Sequence, residues 1–335
     1  MKAYVTREYG ADARLELAEV ETTKPREGEI LIAVKATSIN PIDNKLLRHD
    51  LGFNPDLPAV LHGDVAGVVS AVGPGVQGFE IGDEVYACAG GFKGTPGALA
   101  EFMPADARLV AHKPKSLSFT EAAALPLVVI TAWESLIDSA KIQPGEHVLV
   151  HGGTGGVGHV GVQLAKAKGT RVAATVSSDD KAEIARSLGA DDIINYREES
   201  VEQYVQRLTA GRGFDAVYDT VSGPIFDQSL KATRKWGRIV TVFTGTDSTT
   251  QDLMNAFINA ATVHTQNMSI PLMTGEGREH HGEILREAAE LADVGKLKPL
   301  IDPTRFTFAQ ANEAHALFES KKHVGKIVLE AGEWG

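Results

Sequence analysis

The strongest chemical signal in the sequence is a run of glycines, Val150-His151-Gly152-Gly153-Thr154-Gly155-Gly156-Val157-Gly158. Gly153, Gly155 and Gly158 satisfy G-x-G-x-x-G. At that spacing the first glycine permits a tight turn and the second lets the backbone approach a pyrophosphate. The third lets a helix pack close to a sheet. Helix N–H groups then face the phosphates. Taken alone, the pattern also fits an incidental turn, and its flanks decide between the two. Glu146-His147-Val148-Leu149-Val150 reads as a buried strand, and Val157, Val160, Leu164 and Ala165 fall at helical spacing. Gly153, Thr154, Gly155, Gly156, Val157 and Gly158 are therefore assigned to a bound dinucleotide.

The next strand indicates which dinucleotide. A carboxylate at its tip would take the ribose hydroxyls of NAD, whereas NADP needs room and positive charge for a phosphate. The strand ends Thr175-Val176-Ser177-Ser178, with no acid at the tip, and Lys181 follows one helical turn on. This favours NADPH over NADH. Asp179 and Asp180 are the counter-indication, since either could swing back to a ribose. The preferred reading makes both first-turn residues that complement the helix dipole, with Ser178 as N-cap.

These loops need a doubly wound scaffold, and the chain from about residue 125 supplies one. Strands are expected at Arg171 to Val176, Asp192 to Ile194, Phe214 to Tyr218 and Gly237 to Val242, with helices between them, including one from about Asp179 to Leu188. Gly169 and Gly189 close two of those helices. The first third reads differently. Apolar runs such as Ile30 to Val34 and Ala66 to Val69 alternate with turns at Gly73-Pro74-Gly75, Gly82-Asp83 and Gly90-Gly91, which suggests a β-barrel or sandwich. After about residue 272 come an amphipathic helix (Ile284, Leu285, Ala288, Leu291) and a last strand, Lys326 to Leu329.

Composition narrows the function class. The 335 residues are 43% hydrophobic and 23% charged, ordinary for a globular chain of about two domains. A net charge of −11 without a basic stripe gives no general affinity for nucleic acid or anionic lipid. The opening Met-Lys-Ala-Tyr-Val-Thr-Arg-Glu carries no apolar signal core. The longest apolar stretch, Ala122 to Trp133, is broken by Pro126 and is shorter than the about 20 residues a membrane span needs. A cytoplasmic enzyme is the expectation. Cys88 is the only cysteine, so no intrachain disulfide and no cysteine-rich zinc cluster can form.

Over nearly its whole length the chain resembles the medium-chain dehydrogenase/reductase superfamily, in its quinone oxidoreductase (ζ-crystallin-like) branch. The resemblance rests on Ser38-Ile39-Asn40-Pro41-Ile42-Asp43, Gly63-Asp64-Val65-Ala66-Gly67-Val68-Val69, Val72-Gly73 to Gly82-Asp83-Glu84-Val85, Thr131-Ala132-Trp133, the glycine loop and Gly325-Lys326-Ile327-Val328-Leu329. It implies an α/β fold: a GroES-like β-barrel-type catalytic domain from residues 1–124 and 272–335, and a Rossmann domain with a parallel sheet at 125–271. It further implies a homodimer. Zinc-dependent members hold the metal with two cysteines and a histidine, at positions that align with Asn40, Gly63 and Leu127. None of these three can ligate as a thiolate or imidazole does, and His62, one residue off, supplies only a single ligand. No zinc is expected.

Without a Lewis acid, hydride needs an electron-poor acceptor, a small quinone or α,β-unsaturated carbonyl. By resemblance Asn40 and Asp43 are the catalytic candidates, hydrogen-bonding near the nicotinamide and substrate, or else fixing a loop. Thr131 would sit against the nicotinamide, and Lys181, Tyr196 and Lys321 around the 2′-phosphate, with Ser177 and Ser178 beside them. Phe243 completes the cofactor set. Leu127, Phe53 and Phe92, like Phe243, either line the pocket or pack. Several relatives carry a tyrosine donor in the loop that here reads Leu51-Gly52-Phe53-Asn54-Pro55, so protonation falls to solvent. The alternatives are an enoyl-thioester reductase, disfavoured by Phe53, a zinc-type alcohol dehydrogenase, and a non-catalytic NADPH-binding, crystallin-like protein.

Overall fold

The computed structural model describes residues 1–242 and 253–332. Its contacts divide into two units. Unit 1 holds Met1–Ile130, Ser269–Gly295 and Pro299–Gly335, and unit 2 holds Thr131–Met268 and Lys296–Lys298. The expected boundaries at 124/125 and 271/272 shift for local reasons. The first division falls at 130/131, inside the helix Pro126–Trp133. The short Lys296–Lys298 segment joins unit 2 because the Gln163 amide donates to the Lys298 carbonyl (2.9 Å) and accepts its N–H (2.8 Å).

Unit 1 is built on a mainly antiparallel seven-stranded sheet and a three-stranded one. Its longest strand, Glu29–Ser38, pairs with Asp64–Val72, Phe102–Asp106 and the C-terminal Val328–Glu330. The C-terminal strand therefore joins a sheet made otherwise mostly of strands from the first third of the chain. Close approach explains Gly67, where a Cβ would stand 2.3 Å from the Ala33 carbonyl oxygen. A feature the strand-rich reading missed is the helix Pro41–Arg48, with Pro at its first position and Leu46 and Leu47 buried. The amphipathic helix is Arg278–Asp293, burying Ile284, Leu285 and Ala288. The last strand begins later than expected, at Val328, because the Lys326 N–H turns to the Leu300 carbonyl (2.8 Å) and its side chain goes inward.

Unit 2 is a six-stranded parallel sheet in the order Asp192–Asn195, Arg171–Val176, His147–Val150, Phe214–Asp219, Thr233–Val242, Thr262–Gln266. The strand order reverses direction between His147–Val150 and Phe214–Asp219. Ligands bind at such a switch point, beyond the carboxyl ends of the strands. The core beneath one face packs Leu149, Ala173, Ile194, Phe214, Val217 and Ile239 against Tyr204, Phe226 and Leu230 of the covering helices. Among the described residues no helix is long and apolar enough to cross a membrane.

Candidate functional site

The glycine loop leaves the His147–Val150 strand at the switch point and opens the helix Gly158–Ala167. It is held to the strand ends on both sides. The His151 N–H donates to the Tyr218 carbonyl (2.9 Å), the Thr220 hydroxyl donates to the His151 carbonyl (2.6 Å), and the Gly152 N–H donates to Thr175 Oγ1 (2.9 Å). A turn closes from the Gly155 N–H to the Gly152 carbonyl at 2.8 Å. The three motif glycines do different work. A Cβ on Gly153 would lie 2.7 Å from the Ala174 methyl, and one on Gly158 2.1 Å from the Gly152 carbonyl oxygen. One on Gly155 would meet only that same oxygen, at 3.2 Å. Gly153 and Gly158 thus need glycine for the loop itself, whereas Gly155 keeps a space open. A concave backbone with free room at its middle glycine fits a pyrophosphate.

The neighbouring strands deliver the second half of this site. Val176 pairs in register with Asn195, so Ser177 and Tyr196 leave adjacent strands at one level, and the Tyr196 N–H donates to the Val176 carbonyl (3.2 Å). Ser178 caps the helix Asp179–Ser187, accepting the Lys181 N–H at 3.5 Å. Ser177, Ser178, Lys181 and Tyr196 are thereby gathered at one sheet edge, with Tyr196 half-exposed. Thr131 lies on the helix Pro126–Trp133 and is buried. Lys321 is exposed on a left-handed turn of unit 1 rather than in unit 2 with the other phosphate candidates. Phe243 lies outside the described residues.

Unit 1 has a buried polar corner of its own. Asp43, on the helix Pro41–Arg48, accepts the Asn40 N–H (2.8 Å) and the Gly63 N–H (3.3 Å). Asp64, wholly buried, takes the Ser38 hydroxyl (2.7 Å), the Asn40 amide (2.8 Å) and the Leu127 N–H (2.8 Å). Lys326 Nζ stands 3.6 Å from Asp64 Oδ2 and donates to the Ile39 carbonyl (2.9 Å) and to Asn40 Oδ1. Of the two readings of Asn40, these contacts match the one in which it fixes a loop. Its carbonyl end faces an ammonium, its amide end faces a carboxylate, and it is 0% exposed. Asp43 is likewise spent on backbone N–H groups.

Behind this corner two buried imidazoles meet, His62 Nε2 and His315 Nε2 lying 3.0 Å apart. The Thr37 hydroxyl donates to the Asp64 carbonyl (2.5 Å) and lies 3.4 Å from His62 Nδ1, while His315 Nδ1 lies 3.1 Å from Asn44 Oδ1. Burial holds both neutral. His62 is pushed well below the usual range, by burial first and then by His315 and Lys326, and His315 down to about 4. Phe53 and Phe92 stack at 6.3 Å between ring centres.

The corner does not fit zinc. Positions 40, 63 and 127 offer an amide, a hydrogen and an isobutyl group, and their polar atoms are turned onto Asp43 and Asp64. Among the described residues no three histidine, cysteine or carboxylate side chains are grouped to hold a metal ion. The sequence singled out Asn40 and Asp43 but gave Asp64, Lys326 and Ser38 no role. The available signal was an acid and a base that each open an apolar strand.

Asp43 carries a testable titration. Burial first, then the Asp64 charge, pushes it up to about 7, against the pull of the Asn40 N–H, Lys326 and the Gly63 N–H. A carboxyl raised in the folded state stabilises below its ordinary value near 3.8, and that contribution is lost as pH rises through about 7. The stability of the wild type relative to Asp43→Asn should therefore fall steadily from pH 4 to pH 8 in chemical denaturation. A difference independent of pH would show that Asp43 does not titrate there.

Comparison with known proteins gives a consistent picture. Residues 26–115 match the alcohol dehydrogenase GroES-like domain, and residues 188–329 match the zinc-binding dehydrogenase family. The chain is similar to the 2-methylene-furan-3-one reductase of Solanum lycopersicum, at 36% identity over 98% of this chain and 79% of that one. It is also similar to the chloroplastic NADPH-dependent alkenal/one oxidoreductase of Arabidopsis thaliana, at 32% over 98% and 79%. Among solved structures it is similar to a mycobacterial quinone oxidoreductase, with a TM-score of 0.85 and 30% identity over 98% of this chain and 99% of that one.

Proposed function

The chain belongs to the medium-chain dehydrogenase/reductase superfamily, in its quinone oxidoreductase-like branch, and from that premise we propose that it is an NADPH-dependent, zinc-independent reductase of small enones or quinones. The observation that carries the reading is the glycine loop at the switch point, shaped so that only the middle glycine guards free space. The N–H groups at the start of the helix Gly158–Ala167 would hold the pyrophosphate. Ser177, Lys181 and Tyr196 would hold the 2′-phosphate. When bound, NADPH supplies the hydride. The chain's own task is to bind, orient and keep water out. With Phe53 in the loop where relatives carry a tyrosine, the proton that completes reduction comes from solvent.

The acceptor follows from what the corner lacks. With Asn40, Gly63 and Leu127 unable to bring a metal to a carbonyl oxygen, negative charge must be dispersed by the acceptor's own conjugation. Relatives with names that specify an alkenal/one or a methylene-furanone point to the same class.

Cofactor preference gives a direct test. A lysine–phosphate pair is a charge-assisted interaction of about 1–3 kcal/mol. Lys181→Ala should weaken NADPH binding several-fold to a hundredfold and leave NADH nearly unchanged, measured by quenching or enhancement of cofactor fluorescence. Equal losses for both cofactors would place Lys181 away from the phosphate.

A further inference from the structure

The Asp64–Lys326 pair is one of the most deeply buried charged features in unit 1, with side chains 0% and 3% exposed, and nothing in the binding of NADPH calls for it. A buried ion pair is weak evidence of stability, since an apolar replacement often folds as well or better. The position of the pair is more telling. Its polar atoms gather the end of the Glu29–Ser38 strand through Ser38, the corner before the helix Pro41–Arg48 through Ile39 and Asn40, and the start of the helix Pro126–Trp133 through the Leu127 N–H. That last helix carries Thr131. Asp64 thus places a carboxylate on the Leu127 N–H in the first turn of the helix, where a negative charge is favourable.

The Asn40 amide makes the coupling specific. An asparagine alone can turn its two ends about with little cost. Here an ammonium at one end and a carboxylate at the other admit a single orientation, because reversing the amide would set donor against donor and acceptor against acceptor. Asn40 then holds its own N–H on Asp43, which in turn holds Gly63. Gly63 has no room for a side chain, since a Cβ would stand 2.9 Å from the Gly90 carbonyl oxygen. The contacts therefore run from the ion pair directly to the Leu127 N–H, and through Asn40 and Asp43 to the Gly63 N–H.

We propose that Asp64 and Lys326 are positioning residues for hydride transfer: an internal ion pair that fixes the Asn40–Asp43 corner, Gly63 and the start of the Thr131 helix in the absence of a metal to organise them. This rests on the reading of the chain as a metal-free reductase. The groups that face the pair are Asp43, Cys88 and His62. Cys88 is buried and held as a thiol by burial and by Asp64 and Asp43, and His62 is held neutral, so Cys88 adds no second anion and His62 no second cation.

The experiment separates positioning from folding. Lys326→Met alone leaves a buried carboxylate unpaired and is expected to destabilise the fold. The double variant Asp64→Asn/Lys326→Met removes both charges and keeps hydrogen-bonding capacity at position 64. It is expected to melt within a few degrees of the wild type and to bind NADPH within about twofold of it. Its kcat for but-3-en-2-one is expected to fall ~10–100-fold, since a misplacement of about 1 Å by a distant change can cost about 10²-fold. Lys326→Arg should recover part of that loss. A folded double variant with wild-type kcat overturns the proposal, as does a loss of kcat matched by an equal loss of NADPH affinity. A wild type that binds NADPH but reduces neither enone nor quinone overturns the functional reading instead, so the two failures are distinct.

Discussion

Gly155→Ala is expected to leave the fold intact and to weaken NADPH binding about a hundredfold, whereas Gly158→Ala is expected to lower the melting temperature as well as weaken binding. The difference lies in what each added methyl meets. At Gly158 it would stand 2.1 Å from the Gly152 carbonyl oxygen, a backbone atom that the turn cannot move without opening. Overpacking of that kind costs about 1–3 kcal/mol, and it would unseat the first turn of the helix. At Gly155 the methyl would meet the same oxygen at 3.2 Å, which a shift of a few tenths of an ångström relieves. Its remaining volume projects into the room that a pyrophosphate would use. Two backbone N–H bonds to an anion, at ~1.5–3 kcal/mol each, cannot both form at full strength around it. Losing about 3 kcal/mol corresponds to roughly two decades in affinity. Thermal melting with and without NADPH, together with cofactor titration, measures both quantities. A Gly155→Ala protein that binds NADPH like the wild type would remove the pyrophosphate from this loop.

The sequence made this half of the site legible because local signals sufficed. A buried strand, three spaced glycines and a helical apolar repeat lie within some twenty residues, and Ser178 and Gly189 bracket the next helix as expected from capping alone. The buried corner was not legible in that way. Asn40 and Lys326 meet 286 residues apart in sequence, and no period or spacing links them. Only the pairing of the C-terminal strand with Glu29–Ser38, Val328 against Ser38, brings the lysine beneath the Asn40 turn. The resemblance pointed to Asn40 and Asp43 but not to how their polar atoms are used, which depends on partners that only the fold supplies. The short helix Pro41–Arg48 was hidden for a related reason. Eight residues opened by a proline give too little repeat to stand out from the surrounding strands.

The largest effect should separate substrates. But-3-en-2-one and 1,4-benzoquinone should be reduced with NADPH at least ~10³-fold faster, in kcat/KM, than butan-2-one, and ethanol should not be oxidised measurably. The argument compares the charge that develops as hydride arrives. On a saturated ketone it collects on one oxygen, and a metal would stabilise that oxygen by several kcal/mol. At positions 40, 63 and 127 this chain offers no metal ligand, and the Asn40 amide is committed to Asp64 and Lys326. A barrier left higher by about 4 kcal/mol corresponds to roughly three decades in rate. In an enone hydride goes to the β-carbon and the charge spreads into an enolate, and in a quinone it spreads over the ring, so neither needs the missing ion. Butan-2-one shares the carbon skeleton of the enone, so size and binding are nearly matched and conjugation is the variable. The same reasoning predicts that exhaustive chelation leaves enone reduction unchanged. Faster turnover of ethanol or butan-2-one, or activity that vanishes on chelation and returns with zinc, would show that a metal reaches the carbonyl after all.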